Sequence, residues 1–477
     1  MKKTKFLIGF PKNLFGSAKR KIQDSIRLKS EKIFKASLGG FATQFKSFIP
    51  QEFITNNYPS KRERIYSNEV TFWLWMAQLL DFNSSCSAAV SMLQSWRLKA
   101  SLPTISSDTA AYCKARIRLP LNLVKELSKK VLLVADNRIR TQDRWNDFIV
   151  KSVDGSSVQL MDTEENQKEY PQPSAQKTGC GFPVMKILGL LNHATGMWEK
   201  CLTAPPNEHD ARTMKNLISY LTERCLLLAD RAFCSFEIIL RLKNQGVESV
   251  MRLHQMREKG YTLRKGKRIG KNERLVTWLK PKLKPKTSDL TQEQWDELDD
   301  EIRMRMIVFN YQDRNGEKKR MILATTLLDH IAHDWLSIVN LYGTRWDIEL
   351  RLRDVKTTMK MEALNVKTPA MARKTMAMVI LGYNLIKAVS QESCIQTDKP
   401  IESTSFKEML DWVNHASSLF IDAARKSKKA LSELYENFIQ IASTKLLNHR
   451  PGRWEIRRIK KRPKPFPRMQ KTRQEYR

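Results

Sequence analysis

Between Phe148 and Leu253 the sequence switches between two hydrophobic periods, and the order of those switches restricts the fold more than any other feature. FIVKSVDGSSVQL, VMKILGLLN and, after the turn HATG, GMWEKCLTA read as three successive strands. ARTMKNLISYLTER then reads as a helix, CLLLAD as a short buried strand, SFEIILRLKN as a helix and VESVMRL as another strand. Three consecutive strands followed by alternating helix and strand predict an α/β fold, a mixed sheet with helices on its faces.

That order is the order of a ribonuclease H-like core. The last helix of such a core is due soon after VESVMRL, but a stretch from Gln255 to Asp329 intervenes. It holds the strand-like ERLVTW and MRMIVFNYQ, and an Asn315-Gly316 hairpin turn before KKRMILATTL. Thr291 and Gln294 have the spacing of a capping box that opens a short helix at EQWDEL. The interruption therefore reads as an inserted, β-rich subdomain. From Ser67 to about Asp136 the pattern is helical, and downstream ARKTMAMVILGYNLIKAV predicts an apolar helix packed on the core.

The length suggests about three domains. The expected regions are a basic helical DNA-binding region over 1–140 and a first part of the core over 145–254. The insertion over 255–329, a last part of the core over 330–395, and a helical C-terminal region with a basic tail over 396–477 follow.

Charge narrows the partners. Lys and Arg number 84 against 50 Asp and Glu, a formal net charge of +34. Such a chain resists compaction unless an anionic polymer takes up the charge, which points first to nucleic acid and second to an acidic membrane surface. The excess is local as well. The first thirty residues carry nine Lys/Arg and one Asp, and Gln255 to Leu290 carries twelve Lys/Arg and three acids. Arg116, Arg118, Lys125, Lys129 and Lys130 lie on short helices that form either a DNA-end-binding module or an ordinary bundle with a basic exterior. No apolar run reaches the eighteen or so residues of a membrane helix, so a soluble cytoplasmic protein is expected. The seven cysteines include no C-x-x-C and read as reduced core thiols, and the seven histidines are scattered. Any metal should then be a hard ion held by carboxylates.

Carboxylates of that kind are present. LYGTRWDIELRLRDVKTTMKMEA, from Leu341 to Ala363, spaces Tyr342, Arg345, Glu349 and Lys356 as Y-x2-R-x3-E-x6-K. On a continuous α-helix, Tyr342, Arg345, Lys356 and Arg353 fall at about +20°, −40°, −20° and +40° from Glu349. One carboxylate is thus flanked by a phenol and three cations. The same stripe is also compatible with a solvated face of i,i+4 ion pairs. Asp154 ends the first strand in SVDGSS, and Asp230 ends the central strand in LLLADRAF. Strand ends are where functional side chains converge in open α/β sheets. Singly, each Asp is also explained as a turn residue or a helix N-cap. Together with Glu349 they can hold two divalent cations between three carboxylates.

The DGS at Asp154, the ADRAF at Asp230 and the Y-x2-R-x3-E-x6-K at Tyr342 closely resemble the motifs of DDE transposases of bacterial insertion sequences. The tyrosine–arginine–glutamate–lysine signature points to the family named after the fourth insertion sequence. DTAAYCKAR at Asp108, RLVTWLKP in the insertion and RPKPFP near the C-terminus also look like segments of one branch of it. Ala232 departs from the glycine usual after Asp-Arg, which alters a turn and removes no ligand. The resemblance implies that Asp154, Asp230 and Glu349 coordinate two Mg²⁺, for which Mn²⁺ can substitute. It further implies that Tyr342, Arg345 and Lys356, with Arg353 beside them, hold phosphates at a transposon end. Trp278, in a strand of the insertion, is a candidate to stack on a flipped base or else a core residue. Arg231 reads as a local partner of an acid or phosphate, and His209 has no assigned role.

The implied function is a metal-dependent transposase of the bacterial cytoplasm and nucleoid. It acts on double-stranded DNA, at terminal inverted repeats and at a target, as a homodimer assembled on element ends. Two alternatives stay open at this point: a structure-selective nuclease on the same core without strand transfer, and a DNA-binding protein that has lost catalysis.

Overall fold

A computed structural model describes residues 38–50, 52–62, 64–81, 85–254, 266–312, 316–447, 466 and 469–476. The basic stretch of residues 1–30, Asn315 of the expected hairpin turn and most of the tail from Arg450 lie outside the described residues. Residues 124–409 with 443–477 form one compact unit, and the described residues up to 123 with 410–442 form another.

The larger unit is built on a ten-stranded sheet. Its first five strands are β1 (Ile149–Leu160), β2 (Val184–Asn192), β3 (Met197–Ala204), β4 (Cys225–Ala229) and β5 (Glu248–Arg252). Four more come from the interruption: β6 (Lys267–Arg268), β7 (Glu273–Leu279), β8 (Glu301–Gln312) and β9 (Lys318–Thr325). The order is β3-β2-β1-β4-β5-β9-β8-β7-β6, and β10 (Ala363–Leu364) pairs with the end of β1. β2 runs antiparallel to β1 and β3, whereas β4 and β5 run parallel to β1. The first five strands therefore have the topology of a ribonuclease H-like core. Residues expected as an inserted β-subdomain continue this sheet, because β9 pairs antiparallel with β5 from Val250↔Thr325 to Arg252↔Leu323. The short helix Gln292–Asp296 within them starts with the expected capping box of Thr291 and Gln294.

Local sequence explains these elements. CLLLA of β4 is buried along its whole length, as a central parallel strand covered on both faces must be. β1 alternates across the sheet. Val153 joins Leu188, Leu190 and Leu227 beneath the helices Asp210–Ile218 and Phe236–Asn244. Val150 joins Leu226, Leu228 and Val250 on the opposite face, under Ile338, Leu341 and Tyr342 of the helix Trp335–Gly343. Gly189 of β2 leaves room for the indole of Trp198, whose Cζ3 would stand 2.4 Å from an added Cβ. The β2–β3 register shifts between Leu190 and Leu191, opposite that indole. There the side chain of Asn384 accepts from Trp198 N and donates to Trp198 O, both at 2.9 Å. Asn384 belongs to the helix Pro369–Thr397, which has the mostly buried character expected of the apolar helix.

One buried ion pair fixes the approach to the Trp335–Gly343 helix. Arg305 of β8 is fully buried and donates from Nε to Glu273 Oε2 at 2.8 Å. Its Nη1 donates to the carbonyl of His333 at 2.6 Å, just ahead of that helix. A buried guanidinium with its acid and carbonyl acceptors satisfied tolerates no loss of either partner.

The smaller unit is helical, as expected from Ser67 onward. Its helices are Phe53–Asn57, Asn68–Leu80, Cys86–Lys99 and Ala110–Arg118, with Lys428–Ala442 and the end of Phe406–Lys426. Phe45 and Trp73 stack at 6.3 Å in its core. A Cβ on Gly40 would stand 2.6 Å from the carbonyl of Phe420, so the two chain regions meet in direct backbone contact there. Arg116 lies 4.3 Å over the ring of Trp75, whereas Arg118 is exposed. Among the described residues, no helix is long and apolar enough to cross a membrane.

A buried charge cluster in the larger unit yields a pH prediction. Lys151 of β1 pairs with Glu199 at 2.7 Å, and Asp136 lies beside them. Burial, reinforced by the charge of Glu199 and opposed by Lys151, pushes the Asp136 carboxyl up to about 6. A carboxyl raised on folding contributes stability below its ordinary range, and that contribution is lost as pH rises through the folded value. Asp136→Asn should therefore melt above the parent protein at about pH 8, with the gap closing by about pH 4. Thermal melts across that range check it, and a gap independent of pH contradicts it.

Candidate active site

The register of the sheet brings the two strand-end aspartates together. β1 and β4 pair in parallel up to Ser152↔Leu228. Carried two residues further, the same register sets Asp154 abreast of Asp230. Both follow the parity of Val150, Leu226 and Leu228, so both face the side covered by the Trp335–Gly343 helix. Tyr342, on that helix, donates its hydroxyl to the carbonyl of Ala229 at 3.3 Å, one residue before Asp230.

The segment from Tyr342 to Lys356 departs from the continuous α-helix assumed for its stripe. The α-helix stops at Gly343, a 3-10 turn covers Thr344–Trp346, α-helix resumes over Asp347–Arg353, and a π turn covers Asp354–Thr358. The 3-10 turn winds tighter than 3.6 residues per turn and the π turn wider, so azimuths computed for an ideal helix drift. The π turn is closed by Met359 N donating to Asp354 O at 3.0 Å. The side chain of Asp354 is buried against Arg351 at 3.7 Å.

In this backbone Arg345 faces inward. Its guanidinium lies 3.2 Å from Glu349 and 4.0 Å from Asp154, and its side chain is only 7% exposed. Lys356 is half-buried and donates to Ser156 Oγ at 3.2 Å, two residues beyond Asp154 on the same face of β1. Glu349 is 46% exposed and accepts from the Arg345 guanidinium. Burial raises the Asp154 carboxyl above the usual range, and the charges of Glu349 and Asp230 push it the same way. The Gly155 amide, at 2.8 Å, and Arg345 oppose that rise. Asp154 therefore senses both other acids, although among the described residues no three His, Cys, Asp or Glu side chains close into a metal cage. The donor set fits a hard divalent cation: three carboxylates, no thiolate or imidazole among them. In the conformation described, Arg345 supplies the positive charge between them.

Other expected residues take different places. Tyr342 is buried and its hydroxyl is bonded to Ala229, so it braces the strand end and does not point at solvent. Burial holds that phenol well above its usual range. Arg353 is exposed. Trp278 is 3% exposed and packs with Val276, Ile302 and Met304 in the core, which corrects its candidacy for base stacking. Along β7, Val276 and Trp278 share the inward parity, and that alternation decides the matter.

Two residues not singled out from the sequence lie at the site. Arg252 ends β5, and the β4–β5 register Ala229↔Met251 sets it abreast of Asp230 on the face of Asp154. Its Nε is buried and, among the described residues, without a hydrogen-bond partner, as is the Nε of Arg345. Trp346 is 56% exposed with the Arg345 guanidinium 5.0 Å from its ring. The signal for Arg252 was present, because it ends VESVMR as Asp230 ends CLLLAD, but the pairing that aligns them is tertiary.

Comparison with known proteins agrees with this core. Residues 145–385 match the family described as transposase DDE domain. Transposase InsG for insertion sequence element IS4, from Escherichia coli (strain K12), is 23% identical over 282 residues, 58% of this chain and 60% of that protein. The chain thus spans about 60% of the length of that relative. A cryo-EM structure of the piggyBac transposase synaptic complex with hairpin DNA matches 86% of each chain at 13% identity, with a TM-score of 0.44. With the family match extending over half of its length and over every strand-end residue described above, the chain belongs to the transposase DDE-domain family.

Proposed function

We propose that the chain is a DNA transposase that cleaves at the terminal inverted repeats of its insertion sequence and joins the 3′-hydroxyl ends to target DNA. The observation that carries this reading is the pairing of opposite needs at the ends of the central strands β1, β4 and β5. The charges of Glu349 and Asp230 both act against that of Asp154, while Arg252 and Arg345 each keep a buried Nε donor unsatisfied among the described residues. Cations and a phosphodiester together satisfy both sets, and neither does so alone.

In this reading Asp154, Asp230 and Glu349 hold two Mg²⁺, with Mn²⁺ able to substitute. When bound, such ions activate a water or 3′-hydroxyl and take up charge on the leaving oxygen. The remaining work belongs to the chain's own residues. Arg345 releases the carboxylates and donates to a phosphate, joined by Arg252 and by Lys356. Tyr342 holds the Ala229–Asp230 strand end in place through its carbonyl bond. The exposed ring of Trp346 and the exposed Arg353 face the DNA.

Two outcomes test this. Glu349→Gln should abolish strand cleavage while keeping affinity for terminal-repeat DNA within about tenfold, since one ligand is removed and the phosphate-binding groups stay. Cleavage by that variant at the parental rate in Mg²⁺ would remove Glu349 from the site. Coordinated cutting also needs both ends in one complex. With a net charge of +34, free chains repel, and DNA neutralises that repulsion. Light scattering should then find monomers without DNA and a dimer with terminal-repeat DNA, its affinity falling steeply with salt. A stable DNA-free dimer, or a one-to-one complex that cuts normally, contradicts this assembly.

A further inference from the structure

The smaller unit carries a cavity of about 610 Å³ that the proposed chemistry does not use. Thr43, Lys46, Ser47, Lys428, Leu431 and Ser432 line it. Two ammonium groups and three hydroxyls meet there, and among the described residues no carboxylate lines the wall. Both chain regions of the unit contribute, since Lys428 opens the helix Lys428–Ala442.

Lys46 is already ordered without being neutralised by its closest aromatic neighbour. Its Nζ stands 4.0 Å from the centre of the Tyr435 ring, a cation–π contact that fixes the ammonium and leaves its charge intact. The Tyr435 hydroxyl and Ser47 Oγ are 2.7 Å apart, which holds both beneath the lysine. Thr43 donates to Gly39 O at 2.7 Å and serves as structure. Basic charge continues past the cavity. Arg425 and Lys426 end the helix Phe406–Lys426, and Lys428 and Lys429 begin the next. The acid Glu433 on that helix lies 3.9 Å from Lys429, and both are exposed.

We propose that this cavity binds the phosphodiester backbone of DNA, with Lys46 and Lys428 as the charged contacts and Ser47 and Ser432 as hydroxyl donors. An open cavity without acids, continued by a run of cations along a helix junction, suits a polymer of phosphates better than one isolated anion. The proposal rests on DNA being the substrate. It adds that the DNA-binding surface of this unit is completed by residues far along the chain, so that the N-terminal helices alone form only part of it.

The test is fluorescence anisotropy of a random-sequence DNA duplex with the full chain across a range of KCl concentrations, comparing the parent with a Lys46→Gln/Lys428→Gln double variant. Removing one lysine–phosphate pairing should flatten the plot of log affinity against log salt by about 0.9, so the double variant should be flatter by about 1.8 and bind more weakly at low salt. Lys46→Arg/Lys428→Arg should keep the parental slope, which separates loss of charge from loss of fold. Parental slope and affinity in the Gln variant, with the parent binding steeply, overturn this site and leave the DNA reading intact. Failure of the parent to bind the duplex overturns both. Inorganic phosphate that displaces the duplex at constant ionic strength in the parent but not in the Gln variant would assign the cavity to a free anion and overturn the proposal.

Discussion

The Arg345 guanidinium is the interaction on which the rest of the site depends. Asp154 and Asp230 stand abreast at the ends of two parallel strands, and Glu349 is carried on the helix Asp347–Arg353. Like charges brought close together at a protein surface repel by an energy of order kcal/mol per pair. Without a cation among them, that repulsion would push the carboxylates apart. Arg345 prevents that from 3.2 Å and 4.0 Å, nearly buried and with one donor still unused. The resting site is therefore held by a guanidinium that, in the proposed reading, turns to phosphate when DNA binds.

The departures from regular helix between Gly343 and Thr358 follow from that requirement. A uniform α-helix would satisfy its own hydrogen bonds but would carry Arg345, Glu349 and Lys356 at fixed 100° steps. The 3-10 turn, the resumed helix and the π turn let Arg345 face inward while Lys356 reaches Ser156. π turns inside helices often mark functional sites because they re-aim side chains at a cost in backbone geometry. The strands contributed by the interruption reach the same site indirectly, since Arg305 ties β7 and β8 to the carbonyl of His333 ahead of the helix.

Much of the fold was legible because strand and helix periods were strong and followed one another in an order that few topologies accommodate. The continuous apolar run of CLLLA announced a strand buried on both faces, and the Thr291–Gln294 spacing announced its capping box. Asp154 and Asp230 were readable as strand-end acids, since ends of strands are set by local pattern. The first helix break falls at Gly343, a residue that can mark one, but the second was not legible, because DIELRLRDVKTT contains no glycine or proline. Arg252 was not legible because its alignment with Asp230 exists only once β4 and β5 pair. That the interruption extends the core sheet depends on β5 meeting β9 across more than sixty residues, which no local period encodes. Residue type alone made Trp278 a stacking candidate, whereas its shared parity with Val276 places it inside.

The central claim is that Arg345 holds, in the DNA-free chain, the place that a divalent cation and a phosphate share during reaction. Its most direct test is Mn²⁺ binding to the DNA-free full chain, followed by electron paramagnetic resonance, in the parent and in Arg345→Gln. The account predicts tighter binding by Arg345→Gln, by about tenfold or 1.4 kcal/mol, and loss of that gain when Asp154→Asn is added. Equal or weaker binding by Arg345→Gln would contradict it.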